Sequence, residues 1–330
     1  MRTVHKPRGP VSGRAALLAV VVALAALAAL AAALSWSGRP EDTDRTFRVW
    51  HWNIAGNALH HGSADDGLAE AAVDSVRNRE ADFVSLNEVC RTQFDRMRKL
   101  LAERGWSEGP GTFARFATTR AASPGLCGGT GDYGIALFSR DPLGATREYV
   151  LPSDGTAEHR RLLCAAPRDE PRLKFCTVHI TTSNAVRSGV PDNVRQLRAV
   201  LAVLDGFDAA GQAYIIAGDF NAQPDYARLN AFYAPSANTA ANPANTGSHR
   251  ELDDADRAHC PGYGEWTALG TPGSAPPCGG RAKIDEIFVR ESRLAGPYGA
   301  VTLAVPTSCR GLLRCSDHRV LIGTVRLRLP

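Results

Sequence analysis

The sequence contains no Cys-x-x-Cys pair, no internal repeat and no excess of charge beyond its N-terminal segment. The missing cysteine pairs argue against a zinc ribbon, because such sites need closely spaced thiolates. Residues 1–36 carry four basic residues and no acidic one, so removing them takes the formal net charge from +4 to about zero. A chain without a global basic surface must bind nucleic acid, if at all, through local patches.

The rest of the composition is typical of a folded, exported domain. Of 330 residues, 44% are hydrophobic and 22% are charged, which is enough apolar surface for a core. The eight cysteines are an even number, which favours disulfides in an exported protein. Roughly a hundred connectivities are open to them. Pairing of neighbours along the chain predicts Cys90–Cys127, Cys164–Cys176, Cys260–Cys278 and Cys309–Cys315. The second pair has further support, because its cysteines lie in strand-like runs on either side of a turn-like stretch, Pro167–Pro171.

The first 36 residues are typical of an export signal or a membrane anchor. The run Ala15–Leu34 follows four basic residues and carries no charge. It is about long enough to cross a bilayer at ~1.5 Å per residue. Its many alanines and the lack of a clear cleavage site leave both interpretations open. Basic residues before the run place the domain outside the cell. We therefore predict an extracellular protein, secreted or tethered through residues 15–34, with residues 37–46 as a linker and 47–330 as one domain.

Hydrophobic patterns after the linker predict many strands and few helices. The predicted strands are Phe47–Ile54, 82–89, 134–139, 173–180, 213–218, 284–289 and 320–327. Helical spacing appears in residues 66–79 and around Val194–Leu204, and residues 234–250 have the composition of a loop. This mixture is typical of a layered α/β or α+β domain.

Polar and acidic residues recur in or at the ends of the apolar strands. The sharpest case is Gly218-Asp219-Phe220-Asn221, where Asp219 and Asn221 project to one face of an extended chain. A carboxylate and an amide emerging together suit a phosphate or metal site, although these residue types also favour an ordinary turn. In Ser316-Asp317-His318 the adjacent Asp and His face opposite sides, so one suits a metal and the other a substrate. The alternative there is a solvated loop or a helix cap.

Three further positions place ionisable groups in apolar surroundings. Glu88 lies at the end of a strand, where a carboxylate is either exposed or holds a cation. His179 ends another strand, although a lone histidine is more often structural than catalytic. Asp285 lies inside an apolar strand and needs a partner, because burying an unpaired charge is costly. A histidine is one candidate for that partner.

Taken in order, these segments resemble the motif series of the endonuclease/exonuclease/phosphatase superfamily, which includes deoxyribonuclease I. The resemblance covers nearly all of residues 47–328. It rests on Asn53, Leu86-x-Glu88-Val89, His179, Gly218-Asp219-Phe220-Asn221, Ile284-Asp285-x-Ile287-Phe288 and Ser316-Asp317-His318. It implies a four-layer α/β (α+β) fold, a sandwich of two packed β-sheets flanked by helices.

The resemblance also implies roles for these residues. Glu88 would hold a divalent metal, with Asn53 and Asp317 close by. The implied catalytic residues are Asp219 for proton transfer, Asn221 for positioning the phosphate, His179 and His318 for contacting phosphate or water, and Asp285 for pairing with one histidine. Oxygen ligands of this kind suit Mg²⁺, Mn²⁺ or Ca²⁺ rather than zinc, and Mg²⁺ is the expected ion.

Two departures from the motif series concern the substrate. Asn87 stands where many relatives carry Gln, and Cys90 stands where relatives of deoxyribonuclease I place an arginine that contacts DNA. Arg91 is the candidate replacement. The segment 131–140 resembles the family strand with a substrate-facing residue, and either Tyr133 or Asp132 fills that position. The cluster His159–Arg161 offers local positive charge, but such clusters are more typical of a solvated surface.

These observations predict an extracellular, metal-dependent phosphodiesterase, foremost an endonuclease that hydrolyses DNA or RNA. The segment Gly-Asp-Phe-Asn followed by Ala222 resembles the corresponding segment of deoxyribonuclease I. The alternative is a sphingomyelinase-like phospholipase or a small-phosphoester phosphatase. Against it, no exposed aromatic hairpin suits lipid insertion, and Lys283-Ile284-Asp285 replaces the Trp-Cys-Asp-Arg segment of the phosphatases. An inactive surface binding module is disfavoured by the complete set of site residues. No protein partner is implied, and a monomer is expected.

Overall fold

The computed structural model of the chain describes residues 43–106, 109, 111–129, 131–256, 260–274 and 280–330. Residues 43–330 form one compact unit. The linker predicted for residues 37–46 is wrong at its C-terminal end, because Thr43 to Thr46 pair with the last strand and continue the sheet despite their polar composition. The predicted signal or anchor, including residues 15–34, lies outside the described residues. In the described ranges, no helix is long and apolar enough to span a membrane.

Within the described residues the chain forms fourteen strands and three α-helices. The strands are β1 (Thr43–Asn53), β2 (Phe83–Cys90), β3 (Ala114–Arg120), β4 (Tyr133–Ser139), β5 (Leu143–Val150), β6 (Arg161–Pro167), β7 (Leu173–His179), β8 (Val186–Arg187), β9 (Val190–Pro191), β10 (Ala213–Asp219), β11 (His249–Glu251), β12 (Asp285–Arg290), β13 (Leu294–Leu303) and β14 (Val320–Leu329). The helices are α1 (Leu68–Asn78), α2 (Arg91–Glu103) and α3 (Asp192–Ala209). Every predicted strand and helix is present with ends shifted by a few residues, and the predicted loop 234–250 contains only a 3₁₀ turn and the start of β11.

Two six-stranded sheets carry the fold, in the orders β13-β14-β1-β2-β4-β3 and β11-β12-β10-β7-β6-β5. Most neighbours are antiparallel, but β1 pairs with β2 and β7 pairs with β10 in parallel. Each sheet therefore has one central parallel pair whose carboxyl ends point to the same edge. Loops that leave such an edge are where α/β proteins commonly build their sites.

Three hydrophobic clusters separate the layers. Between the sheets, Phe83 on β2 stacks on Phe47 and on Phe175 of the opposite sheet, with ring centroids 5.5 and 4.6 Å apart. Helices α1 and α2 pack on the outer face of the first sheet, and α3 packs on the outer face of the second. The order helix, sheet, sheet, helix confirms the predicted four-layer sandwich.

Three predicted disulfides are confirmed. They are Cys90–Cys127, Cys164–Cys176 and Cys309–Cys315. Cys164 and Cys176 lie directly opposite each other on β6 and β7, as the hairpin prediction requires. Cys260 is disulfide-bonded. Cys278 lies outside the described residues, so the pairing Cys260–Cys278 stays a prediction.

Candidate active site

The ends of five strands converge at one edge of the two sheets. Asn53 ends β1, Glu88 lies near the end of β2, His179 ends β7 and Asp219 ends β10, while Asp285 begins the antiparallel strand β12. Strand pairing sets Asp219 beside both His179 and Asp285. The sheet register therefore gathers residues that are far apart in the sequence, as strand-end polar residues predict.

The Asp219 carboxylate is the centre of this group. Asn53 donates hydrogen bonds from Nδ2 to Asp219 Oδ2 at 3.0 Å and to Glu88 Oε1 at 3.1 Å. His179 Nε2 lies 3.6 Å and His318 Nε2 3.9 Å from Asp219 Oδ2. Two histidines and one amide thus face the same carboxylate oxygen.

Asp285 links two histidines beneath that centre. Its carboxylate accepts a hydrogen bond from His318 Nδ1 at 2.7 Å and another from His51 Nε2 at 2.9 Å. The predicted histidine partner of Asp285 is therefore His318, with His51 as a second one that sequence reasoning missed. His51 Nδ1 lies 2.8 Å from Ser85 Oγ, which lies 2.7 Å from Thr177 Oγ1 on the opposite sheet. This buried polar chain joins both sheets under the site.

Asn87 completes the support. Its Oδ1 accepts the backbone N–H of Asp219 at 2.7 Å, and its Nδ2 donates to Thr177 Oγ1 at 3.3 Å. The side chain is fully buried. The departure from Gln at this position thus places a shorter amide between the sheets, where it fixes the backbone of Asp219.

The titration behaviour of these groups differs sharply. Burial, together with the nearby Asp285 charge, raises the pKa of Asp219 to about 7. Burial alone would lower the pKa of His318, but the Asp285 carboxylate overcomes this effect and raises the pKa of His318 to about 10. Burial and the positive charges of Arg160 and His318 hold the pKa of His179 well below its usual value. At neutral pH the site therefore contains a cationic His318, a neutral His179 and an Asp219 that titrates near 7.

Backbone strain concentrates at the same edge. Glu88, Asn221 and Ala55 have φ values of 57°, 48° and 48°, in the left-handed region that such residues rarely adopt. The β2–β4 ladder shifts register between Leu86 and Val89, so Glu88 lies on the irregular segment. Asn221 is held by its N–H donating to Asp219 Oδ1 at 2.8 Å and by its Nδ2 donating to Ile180 O at 2.8 Å. Such strain is typical of sites whose surroundings hold side chains in a set geometry.

The donor set fits a divalent metal. Asp219, Asp285 and His318 place ligand atoms within 4.8 Å of one another. Asp285, however, already uses both carboxylate oxygens on histidines, which leaves Glu88 as the better oxygen ligand. Asn53, the second predicted metal residue, turns its amide N–H groups toward Glu88 and Asp219, while its Oδ1 accepts the backbone N–H of Ala55 at 3.1 Å, so it positions Glu88. Asp317, the third predicted metal residue, is exposed. Among the described contacts, its side chain has none with Glu88 or Asn53.

The two predicted substrate residues have different surroundings. Tyr133 is buried and hydrogen-bonds to Glu88, and burial with the Glu88 charge raises the pKa of its phenol far above the usual value. Arg91 is exposed at the start of α2, with its guanidinium over the Phe116 ring at 5.3 Å and its Nε 3.3 Å from Asp95 Oδ2. The structure thus brings Tyr133 into the site, whereas Arg91 contacts Phe116 and Asp95, which are not site residues.

Arg160 belongs to the basic cluster for which the sequence favoured a solvated surface over a local nucleic-acid contact. Its side chain is only 12% exposed and pairs through Nη2 with Glu158 Oε2 at 3.0 Å. Its Nε and Nη1 are buried without a hydrogen-bond partner in the described part of the chain, and so is His179 Nδ1. Its charge contributes to the low pKa of His179. The solvated surface expected for His159–Arg161 is therefore wrong for Arg160, because its side chain is buried. The sequence could not show this, since no local pattern distinguishes Arg160 from its basic neighbours.

Comparison with known proteins finds solved structures that share this fold. Solved structures with similar folds include an endonuclease/exonuclease/phosphatase from Beutenbergia cavernae, at 23% identity, with 86% of this chain and 72% of that chain covered and a TM-score of 0.51. The human nocturnin catalytic domain with bound sulfate has 18% identity, coverage of 88% and 96% and a TM-score of 0.57. Danio rerio TDP2 complexed with a single-strand DNA product has 16% identity, coverage of 85% and 98% and a TM-score of 0.55. No curated protein sequence matches the chain.

The sequence model of the endonuclease/exonuclease/phosphatase family matches residues 50–318, which include every strand end described above. Members of this family are metal-dependent phosphoric ester hydrolases. The chain belongs to the endonuclease/exonuclease/phosphatase family.

Proposed function

We propose that this protein is an extracellular, Mg²⁺-dependent phosphodiesterase that hydrolyses nucleic acid. The observation that carries the proposal is the Asp219 carboxylate, set within 4 Å of two histidines that hold opposite protonation states. A group that titrates near neutral pH beside a stable imidazolium is the arrangement that hydrolysis of a phosphodiester by water needs.

Each residue has a step that its geometry suits. Asp219, with a pKa of about 7, accepts the proton of the attacking water. The imidazolium of His318, held by Asp285, stabilises negative charge that develops on the phosphoryl oxygens. Neutral His179 and Asn221 orient the phosphate from the other side. A divalent ion held by Glu88, which Asn53 positions, would neutralise phosphoryl charge.

Two observations support nucleic acid as the substrate. Within the described residues, Arg160 has two buried N–H groups without a hydrogen-bond partner, its charge acts on His179, and guanidinium groups bind phosphate oxygens well. Among the similar structures, TDP2 is complexed with single-strand DNA. The nearly neutral charge of residues 37–330 is compatible with recognition by such a local contact.

The external location is part of the proposal. Three disulfides lie within the described residues, and disulfides of this kind persist in oxidising compartments. Fractionation of the producing cells, with detection of the protein in medium and membrane fractions, tests this. Recovery of the reduced protein from the cytosol would contradict it.

The activity test compares four substrates with residues 43–330: plasmid DNA, RNA, sphingomyelin and 4-nitrophenyl phosphate, each with Mg²⁺ and with EDTA. We expect cleavage of DNA or RNA that EDTA abolishes and that Asp219→Asn reduces at least ~100-fold. Arg160→Met should lower the rate of hydrolysis of DNA and RNA more than that of 4-nitrophenyl phosphate, because the small ester makes fewer phosphate contacts. Hydrolysis of sphingomyelin alone, or of the monoester alone, would overturn the nucleic-acid proposal.

A further inference from the structure

A loop closed by the Cys309–Cys315 disulfide stands beside the site and is not used by the proposed chemistry. We call residues 309–315, Cys-Arg-Gly-Leu-Leu-Arg-Cys, the docking loop. Both cysteines are buried, and Cys315 N–H donates to Pro306 O at 2.8 Å while Arg310 N–H donates to Asp66 O at 2.7 Å. The base of the docking loop is thus fixed to the domain, three residues before His318.

The tip of the docking loop is apolar and uncovered. Leu313 is 92% exposed, the most exposed of the large hydrophobic residues in the described part of the chain. It borders a cleft of about 460 Å³ that is also lined by Leu59, Leu269 and Leu312. A single exposed leucine is ordinary, but an exposed leucine that continues into a leucine-lined cleft on a disulfide-fixed loop forms a continuous apolar surface.

Basic groups surround this surface. Arg310 and Arg314 flank the two leucines of the docking loop, and both are exposed. Arg281 lines the cleft on its other side. Among the described residues that line the cleft, Asp317 is the one that is acidic. Within the described residues, neither Arg310 nor Arg314 has an ion pair, so their charges are available to an anionic partner.

We propose that the docking loop binds the domain to the surface of an anionic phospholipid bilayer, with Leu313 entering the acyl region and the arginines contacting headgroup phosphates. The residue chemistry selects this occupant. Platforms for nucleobases use aromatic faces, and none of the described residues that line the cleft is aromatic. Aliphatic side chains between arginines match the acyl and phosphate layers of a membrane interface. The inference goes beyond the proposed function, since it concerns adsorption and not hydrolysis.

Vesicle sedimentation in EDTA tests the docking loop without turnover. Residues 43–330 contain both sheets and all three cores, so this unit is used with its disulfides formed. We expect binding to vesicles of phosphatidylglycerol and phosphatidylcholine in equal parts that is at least roughly tenfold tighter than binding to pure phosphatidylcholine. Leu313→Asp should weaken binding to the anionic vesicles by roughly tenfold or more. The double variant Arg310→Ala/Arg314→Ala should remove the anionic preference.

Val150→Asp is the matched control, because Val150 is 68% exposed on β5 and lies outside the docking loop. It should bind vesicles as the unchanged protein does. Circular dichroism and thermal unfolding check that Leu313→Asp is folded. Equal binding by Leu313→Asp and the unchanged protein would overturn the inference. The inference would also be overturned if Leu313→Asp left vesicle binding intact but weakened the binding of DNA, or abolished a dimer seen in sedimentation velocity. An inactive enzyme that still binds vesicles would contradict the proposed function and leave the docking loop supported.

Discussion

Replacing Asp285 by Asn tests how the site sets the charge of His318. The substitution keeps the size of the side chain and removes its charge. In the unchanged protein the pKa of His318 is about 10, compared with an ordinary value of 6.5. At ~1.36 kcal/mol for each tenfold change in the protonation equilibrium, this difference corresponds to about 5 kcal/mol in favour of the imidazolium. Asp285 is its largest favourable source.

Without that charge, burial dominates and the pKa of His318 falls to 6.5 or below. At pH 8 the cationic fraction then drops to roughly one in thirty. The amide Nδ2 that the substitution introduces would also donate to His318 Nδ1 and favour the wrong tautomer. We therefore expect kcat to fall by ~10²- to 10⁴-fold, as with other lost histidine–carboxylate pairs.

The assay is the pH dependence of kcat on a soluble phosphodiester, combined with a nuclear magnetic resonance titration of the His318 ring. The His318 imidazolium is present below about pH 10, so its deprotonation reduces the activity of the unchanged protein only above about pH 10. Protonation of the base Asp219 separately reduces activity below about pH 7. The Asp285→Asn variant should lose activity above about pH 6.5. If kcat of the variant still fell only near pH 10, this account of His318 would be refuted.

Glu286→Gln is the control for that substitution. Glu286 is the next residue on β12, is fully buried and contacts Lys283 at 3.3 Å instead of the site. Burial raises the pKa of Glu286 well above its usual value, so the uncharged Gln preserves its state. Its pH profile should match that of the unchanged protein.

Three further predictions concern the support, the metal and acid stability. Asn87→Leu leaves the Asp219 N–H and Thr177 without their amide partner. The free energy of unfolding, measured in urea, should therefore fall by about 2–3 kcal/mol, and kcat should fall as well. Equal stability of the variant would contradict a bridging role for Asn87. Glu88→Gln should weaken Mg²⁺ binding at least ~10-fold in titration calorimetry, and unchanged affinity would move the ion to Asp219 and its neighbours. Burial lowers the pKa of His249 to about 4, so the folded state binds fewer protons than the unfolded state below pH 6.5. Stability should therefore fall by up to about 3 kcal/mol between pH 6.5 and 4, and His249→Gln should flatten this slope in urea titrations.

Much of the site was predictable because its residues lie at strand ends. Period-two hydrophobic patterns located the strands, and a polar residue directly after an apolar run marks the point where a strand leaves the sheet. Asn53, His179 and Asp219 follow this rule. The edge strands β3, β5 and β13 were missed, because polar residues, glycine and proline interrupt the period-two pattern on which the prediction depends. The helix α2 was missed although Phe94, Met97 and Leu101 recur at helical spacing.

The sequence did not predict the roles of three residues: His51, Arg160 and Asn87. His51 lies inside an apolar strand, and its partner Asp285 is 234 positions away in the sequence. Arg160 has basic neighbours, and only its burial separates it from a solvated surface. Asn87 was noted as a departure, but its bridge to Thr177 depends on the packing of two sheets.

By itself, the sequence determined the layered α/β or α+β class and, through the order of its motifs, most of the residues that gather at the site. The disulfide pairs were predicted as neighbours along the chain, but the structure was needed to establish them, because eight cysteines allow roughly a hundred connectivities. Tertiary structure alone decided the partners and the charges. Asp285 lies between two histidines because β1 and β12 belong to sheets that pack face to face. Asp219 titrates near neutral pH because that packing removes it from water. A pKa depends on burial and on neighbours in space, and neither quantity is encoded in any single segment of the chain.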